Sequence, residues 1–200
     1  KKQTGGAGQF GEVFLRVEPL ERGAGFEFED ATVGGSIPGN FIPSIEKGVR
    51  QVLADGAVAG YPMQDVKVIV YDGKHHPVDS KDIAFATAGR KAFLDAVDKA
   101  RPVILEPIVK IRVVAPDSCM GDLAGDLSSR RGRISGSESK SRGRIAIDGE
   151  VPLAELNGYD QRLKAITGGE GTYSIELSHY EAVPGSIQKQ LADAYQRSEE

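Results

Sequence analysis

Apolar and polar positions alternate with a period of two through Asp65-Val66-Lys67-Val68-Ile69-Val70, the mark of a strand with one buried face. The alternation stops at the loop Tyr71-Asp72-Gly73-Lys74-His75-His76-Pro77-Val78-Asp79-Ser80. Helical spacing follows: Phe85, Ala88, Ala92 and Ala96 form one stripe, with Phe93, Val97 and Ala100 beside it. This predicts a long helix over 80–99, N-capped by Asp79 or Ser80, with Asp82 in its first turn and Arg101-Pro102 ending it. The alanine stripe predicts close packing on a sheet. A polar loop mounted between two regular elements is a common place for function.

Earlier in the chain, Val13, Leu15 and Val17 share a strand face within 10–17. Phe26-Glu27-Phe28-Glu29 alternates strictly and reads as its half-buried antiparallel partner. A breaker-rich loop, Gly34 to Pro43, leads into a helix whose Ile45, Val49, Val52 and Leu53 share one face and which Gly56 can end. Beyond Pro102 the pattern begins again. It gives a strand over 103–114, a helix carrying Met120, Leu123, Ala124 and Leu127, and strands at 133–136 and 144–151. An amphipathic helix with Leu153, Leu156, Tyr159, Leu163 and Ile166 follows, then a strand over 172–178. That order, β-α-β-β-α-β, is the split βαβ or ferredoxin-like pattern. Residues 183–200 read as a docked helix or a fraying tail.

At 200 residues the chain can hold two ordinary cores, and 27% charged with 40% hydrophobic residues is normal for a globular protein. The apolar runs fall short of the roughly 18 residues a membrane span needs, so no membrane partner is expected. Cys119 is the one cysteine, which excludes an internal disulfide and suits a reducing, cytoplasmic setting. The chain opens on Lys1 inside a glycine-rich motif and is expected to be a piece of something longer, monomeric in isolation. A net charge of -4 excludes a generally basic nucleic-acid coat but not local basic patches.

His75 and His76 lie beside Asp72 and Asp79, but neighbouring side chains on an extended loop diverge, and His179 is far along the chain. Metal binding is therefore not expected, and the two histidines with Lys74 read as an exposed contact tip. Arg130, Arg131 and Arg133 precede a hairpin pattern whose far side carries Lys140, Arg142 and Arg144. These six can converge on one edge, either as a solvated edge kept basic against strand pairing or as a phosphate-contacting patch. Asp122 and Asp126 read as surface. No Gly-x-Ser-x-Gly, HExxH, CxxC or Walker motif occurs, so no catalytic residue is assigned.

Several stretches together resemble the fourth and fifth domains of bacterial elongation factor G. They are Lys1-Lys2-Gln3-Thr4-Gly5-Gly6 with Gly8-Gln9-Phe10-Gly11, Gly34-Gly35 with Ile37-Pro38, Phe41-Ile42-Pro43 with Glu46-Lys47-Gly48, and Gly60-Tyr61-Pro62. Asp72-Gly73, His76 with Val78-Asp79-Ser80, Leu105-Glu106-Pro107-Ile108, Gly121-Asp122, Asp126-Leu127, Arg130-Arg131-Gly132, Val151-Pro152-Leu153 and Gly158-Tyr159 continue the run. The resemblance implies an α+β fold of two domains. The first, 1–103, would be ribosomal-protein-S5-like with an unusual crossover; the second, 104–182, ferredoxin-like; 183–200 would be a tail.

It also implies a role. The first domain would enter the decoding region of the small ribosomal subunit, and the second would lie near large-subunit RNA at the factor-binding site, promoting movement of tRNA and mRNA. GTP and Mg²⁺ would belong to an N-terminal GTPase domain outside this chain, leaving no cofactor here. The ribosome-facing residues would be Lys74, His75 and His76, the loop Ser36, Ile37, Pro38, Gly39 and Asn40, and Arg130, Arg131, Arg133, Arg142 and Arg144. The sequence departs from the family at Lys74 and His75 (usually a serine and an aromatic residue), at Glu170 (usually arginine) and at Asn157 (usually phenylalanine). Those departures point to a divergent paralogue. The alternative role is a module acting in recycling or rescue that contacts ribosomal protein rather than RNA.

Overall fold

The computed structural model describes residues 8–195, so the Lys1–Gly6 motif lies outside the described residues. The chain divides into two units. One comprises the residues through Ile104 together with the segment from Gly185, and the other is Leu105–Pro184.

The first unit holds strands β1 (Glu12–Pro19), β2 (Phe26–Asp30) and β3 (Val66–Lys74), with helices α1 (Ile42–Asp55) and α2 (Asp82–Lys99). β3 lies at the centre: β1 pairs with it antiparallel and β2 parallel. The expected antiparallel pairing of 26–29 with 10–17 is therefore corrected. Because α1 carries the chain from the end of β2 back to the start of β3, the two strands run parallel, as a helical crossover requires. Val68, Val70, Ile45, Val49, Val52, Phe85 and Phe93 are buried between sheet and helices. The close approach of α2 is to α1. A Cβ on Gly48 would fall 2.0 Å from the Ala86 carbonyl oxygen, and one on Gly89 would fall 2.8 Å from that of Ile45. The alanine stripe only flanks this contact, since Ala88, Ala92 and Ala96 are half-buried while Phe85, Gly89, Phe93 and Val97 are buried.

The second unit holds β4 (Leu105–Pro116), α3 (Met120–Ser129), β5 (Arg133–Lys140), β6 (Arg144–Pro152), α4 (Tyr159–Thr167) and β7 (Thr172–Ala182). Its sheet order β5-β6-β4-β7, antiparallel throughout, is ferredoxin-like. Val109, Ile111, Val113, Leu123, Leu127, Ile147, Tyr159 and Leu163 form its core. The single helix expected from Leu153 to Ile166 is broken. Leu153–Leu156 is a 3-10 turn, and α4 starts only after Gly158, whose φ of 70° interrupts the helical path. A last helix, α5 (Gly185–Ala194), returns to the first unit. There the Gln188 side chain accepts from Ile104 N (3.1 Å) and donates to Pro102 O (2.9 Å).

Candidate nucleic-acid interface

β3 leads into the histidine loop through a bulge. Phe14 lies opposite Asp72 and Leu15 opposite Val70, which leaves Tyr71 as the extra residue; bulges of this kind re-aim a strand end. The loop then closes on itself. The Ser80 amide donates to His76 O (3.1 Å), and the His76 amide donates to Ser80 Oγ (2.8 Å). Ser80 Oγ in turn donates to Phe10 O (3.0 Å), and the Phe10 amide to Asp79 O (2.9 Å). This corrects the expected N-cap. Ser80 spends its hydroxyl on the loop, Lys81 takes the capping position with no side-chain bond, and Asp82 accepts from Ser44 Oγ at 3.0 Å.

The two histidines diverge. The His75 ring reaches Ser36 O (Nδ1 at 3.3 Å), while the His76 ring turns back, its Nδ1 3.3 Å from Val78 N and 3.2 Å from Asp79 N. Half of the His76 side chain stays exposed, with the Phe10 ring edge-on beside it at 6.4 Å. Lys74 is well exposed and pairs loosely with Glu12 at 3.5 Å. Among the described residues no cluster of His, Cys, Asp or Glu is arranged to hold a metal ion.

The contact from His75 to Ser36 brings the Gly34–Pro43 loop beside this tip. Gly39 and Asn40 are exposed there and Ser36 and Pro38 are half-buried, while Ile37 is only 3% exposed. Ile37 is thus a correction to the expected contact set: its side chain is drawn into the core with Ile45, Val70 and Phe85. An apolar side chain in an otherwise polar loop gains more from burial than from solvent, so the Ile37 side chain anchors the loop rather than standing at its surface.

The arginines do not converge either. Arg133 begins β5 and Lys140 ends it, a separation of about 23 Å at strand rise. Most are also occupied. Arg131 makes a two-pronged pair with Glu106 (2.6 and 2.8 Å) and reaches Glu155 (2.8 Å), contacts that raise its pKa, the Glu106 hydrogen bond most strongly. Arg130 pairs with Asp126 at 2.9 Å and lies over the Tyr159 ring. Arg133 pairs with Glu181 (2.7 Å), Lys140 with Glu138 (2.7 Å), and Arg144 donates to Glu170 O (3.0 Å). Arg142, exposed at the β5–β6 turn with φ 62°, has no such partner among the described residues.

Asp126 is a residue that sequence reasoning misplaced. Its side chain is 8% exposed and takes both Arg130 and Arg162 at 2.9 Å. Burial alone would raise its pKa, but the hydrogen bonds from Arg162 and Arg130 outweigh burial and lower it. Arg130, four residues on, was the available signal; Arg162 comes from α4 and only the fold reveals it.

Two family models divide the sequence between them. Residues 1–101 match elongation factor G, domain IV, and residues 103–191 match the elongation factor G C-terminus. The chain belongs to the elongation factor G family. It is 50% identical over 190 residues to an elongation factor G of Aquifex pyrophilus, covering 95% of this chain and 27% of that protein. It is 47% identical over 197 residues to an elongation factor G-like protein of Thermotoga maritima, covering 98% of this chain and 29% of that protein. A crystal structure of a Thermus thermophilus protein, 42% identical, matches with a TM-score of 0.73 over 96% of this chain and 28% of the other. The chain thus spans less than a third of the length of these relatives, and its two halves match the family's domain IV and C-terminal regions.

Proposed function

We propose that the chain is the ribosome-engaging end of a translational GTPase. Its first unit would place the His76 tip against RNA of the small-subunit decoding region, and its second would lie near large-subunit RNA, during movement of tRNA and mRNA. GTP binding and hydrolysis belong, in this reading, to the part of the longer protein outside this chain, and the cytoplasm is the setting. One observation carries the proposal: a half-exposed histidine on a loop with no apolar cover of its own, braced by four hydrogen bonds among Phe10, His76, Asp79 and Ser80. Such bracing keeps a small polar tip in one shape before it meets its partner, which limits the ordering cost of binding. Exposed rings commonly stack on, or hydrogen-bond to, unpaired bases.

Proximity can be read directly. In the full-length factor stripped of other cysteines, Val78→Cys, a position 76% exposed, would carry a tethered iron chelate that generates hydroxyl radicals. Cleavage of small-subunit RNA confined to the decoding region supports the proposal; cleavage elsewhere, or none on a bound factor, overturns it.

A further inference from the structure

The two tip histidines sit side by side yet meet opposite kinds of backbone group. The neighbour of His75 Nδ1 is a carbonyl oxygen, Ser36 O at 3.3 Å, which can only accept. The neighbours of His76 Nδ1 are the amides of Val78 and Asp79, which can only donate. A neutral imidazole carries its proton on one nitrogen, and the bond made by the other nitrogen decides which. From this geometry we infer that the loop fixes the two rings as opposite tautomers: His75 protonated at Nδ1 with a bare Nε2, His76 protonated at Nε2 with a bare Nδ1. The tip therefore offers an outside partner one acceptor and, separately, one donor.

A competing contact exists. Asp79 Oδ2 lies 3.5 Å from His76 Nδ1, and an Asp–His pair would need a proton on that nitrogen. Both arrangements cannot hold at once, because a protonated Nδ1 would face two N–H groups. The amides are nearer and there are two of them, fixed by the turn that Ser80 closes, so the bare Nδ1 prevails. The Asp79 carboxylate is itself packed against Gly8, where an added Cβ would fall 2.6 Å from it. Ser80, Val78 and Asp79 thus act as positioning residues, and Asp79 acts through its backbone.

Resting on the proposed contact with RNA, the assignment names the chemistry of that contact. Nε2–H of His76 takes an acceptor, such as a base carbonyl, a ring nitrogen, a 2′-hydroxyl oxygen or a phosphate oxygen. It cannot receive a hydrogen bond through that atom.

The chain has three histidines, so ¹⁵N-histidine labelling and long-range proton–nitrogen correlation at about pH 8.5, where free imidazole is neutral, read each tautomer directly. The expected spectrum shows His76 protonated at Nε2 and His75 at Nδ1. Asp79→Asn should leave His76 unchanged, whereas Ser80→Ala should turn its pattern into a mixture. His76 protonated at Nδ1, both rings in the same tautomer, or an Asp79→Asn spectrum in which His76 switches nitrogen would each overturn the inference. In the full-length factor, His76→Gln keeps an N–H near the Nε2 position and His76→Asn does not, so the Gln variant should move tRNA about ten-fold faster than the Asn variant. Normal movement by both, with the tautomers as expected, would remove the RNA contact while the tautomer assignment stands.

Discussion

Single residues here separate ionic groups that hold the fold from those free to meet a partner. Asp126 holds Arg130 and Arg162 from a position 8% exposed. Asp126→Asn should cost about 2 kcal/mol at neutral pH, the scale of a charged hydrogen bond lost in a partly buried site. The folded pKa is lowered, so the stabilisation is complete above the unfolded value of about 3.9 and is lost as pH falls through the folded one. Denaturant melts of both proteins should differ by a constant amount between about pH 5 and 8, as ordinary aspartate values imply, and converge in stronger acid. A gap that widened in acid would contradict the assigned sign. A second contrast separates the arginines. Arg131→Ala strands Glu106, 8% exposed, and should cost about 3 kcal/mol. Arg142→Ala should leave melting unchanged and lower the salt slope of ribosome binding by about 0.7–0.9, one phosphate contact. An unchanged slope would leave Arg142 as a solvated turn residue.

At the level of elements, α1 and α2 approach closely because both carry glycine at the crossing. Gly48→Ala would drive a Cβ to 2.0 Å from backbone oxygen and should cost about 1–3 kcal/mol as the helices part. Gly125→Ala on α3 meets nothing within 4 Å and should instead stabilise by about 0.4–1 kcal/mol. Equal effects of the two substitutions in urea melts would refute the close crossing. This contact also marks where sequence reading stopped. The apolar faces of α1 and of the second unit's β4 and α3 were legible because burial imposes a 3–4 or two-residue period. The pairing of β2 with β3 rather than β1 was not, since strict alternation in 26–29 shows one buried face but not which neighbour supplies the hydrogen bonds. Gly158 looked compatible with a continuous helix because the apolar spacing runs straight across it. At the site, the exposed histidine loop was legible from its polar tip. The burial of Ile37 was not, and neither was the pairing of Arg131, Arg133 and Arg144, whose partners Glu106, Glu181 and Glu170 lie 25–48 residues away.

For the whole molecule, the chain forms two α+β units, with the histidine loop on the first; in the proposed role it would contact the ribosome, and GTP chemistry would belong to the rest of a longer protein. The chain should accordingly show no GTP binding by calorimetry, since a P-loop is absent from its sequence; stoichiometric binding would contradict this division of labour. In the proposed role the His76 tip works against RNA in moving tRNA. A stacked or hydrogen-bonded ring of this kind contributes about 1–3 kcal/mol per base. The direct measurement is single-turnover tRNA movement on ribosomes with the full-length factor carrying His76→Ala, alongside its thermal unfolding. Movement should be slowed about ten-fold or more, with folding stability lowered by no more than about 1 kcal/mol, the scale of the Nδ1 contacts to the Val78 and Asp79 amides that the variant loses. Movement at the normal rate would remove the His76 tip from the mechanism.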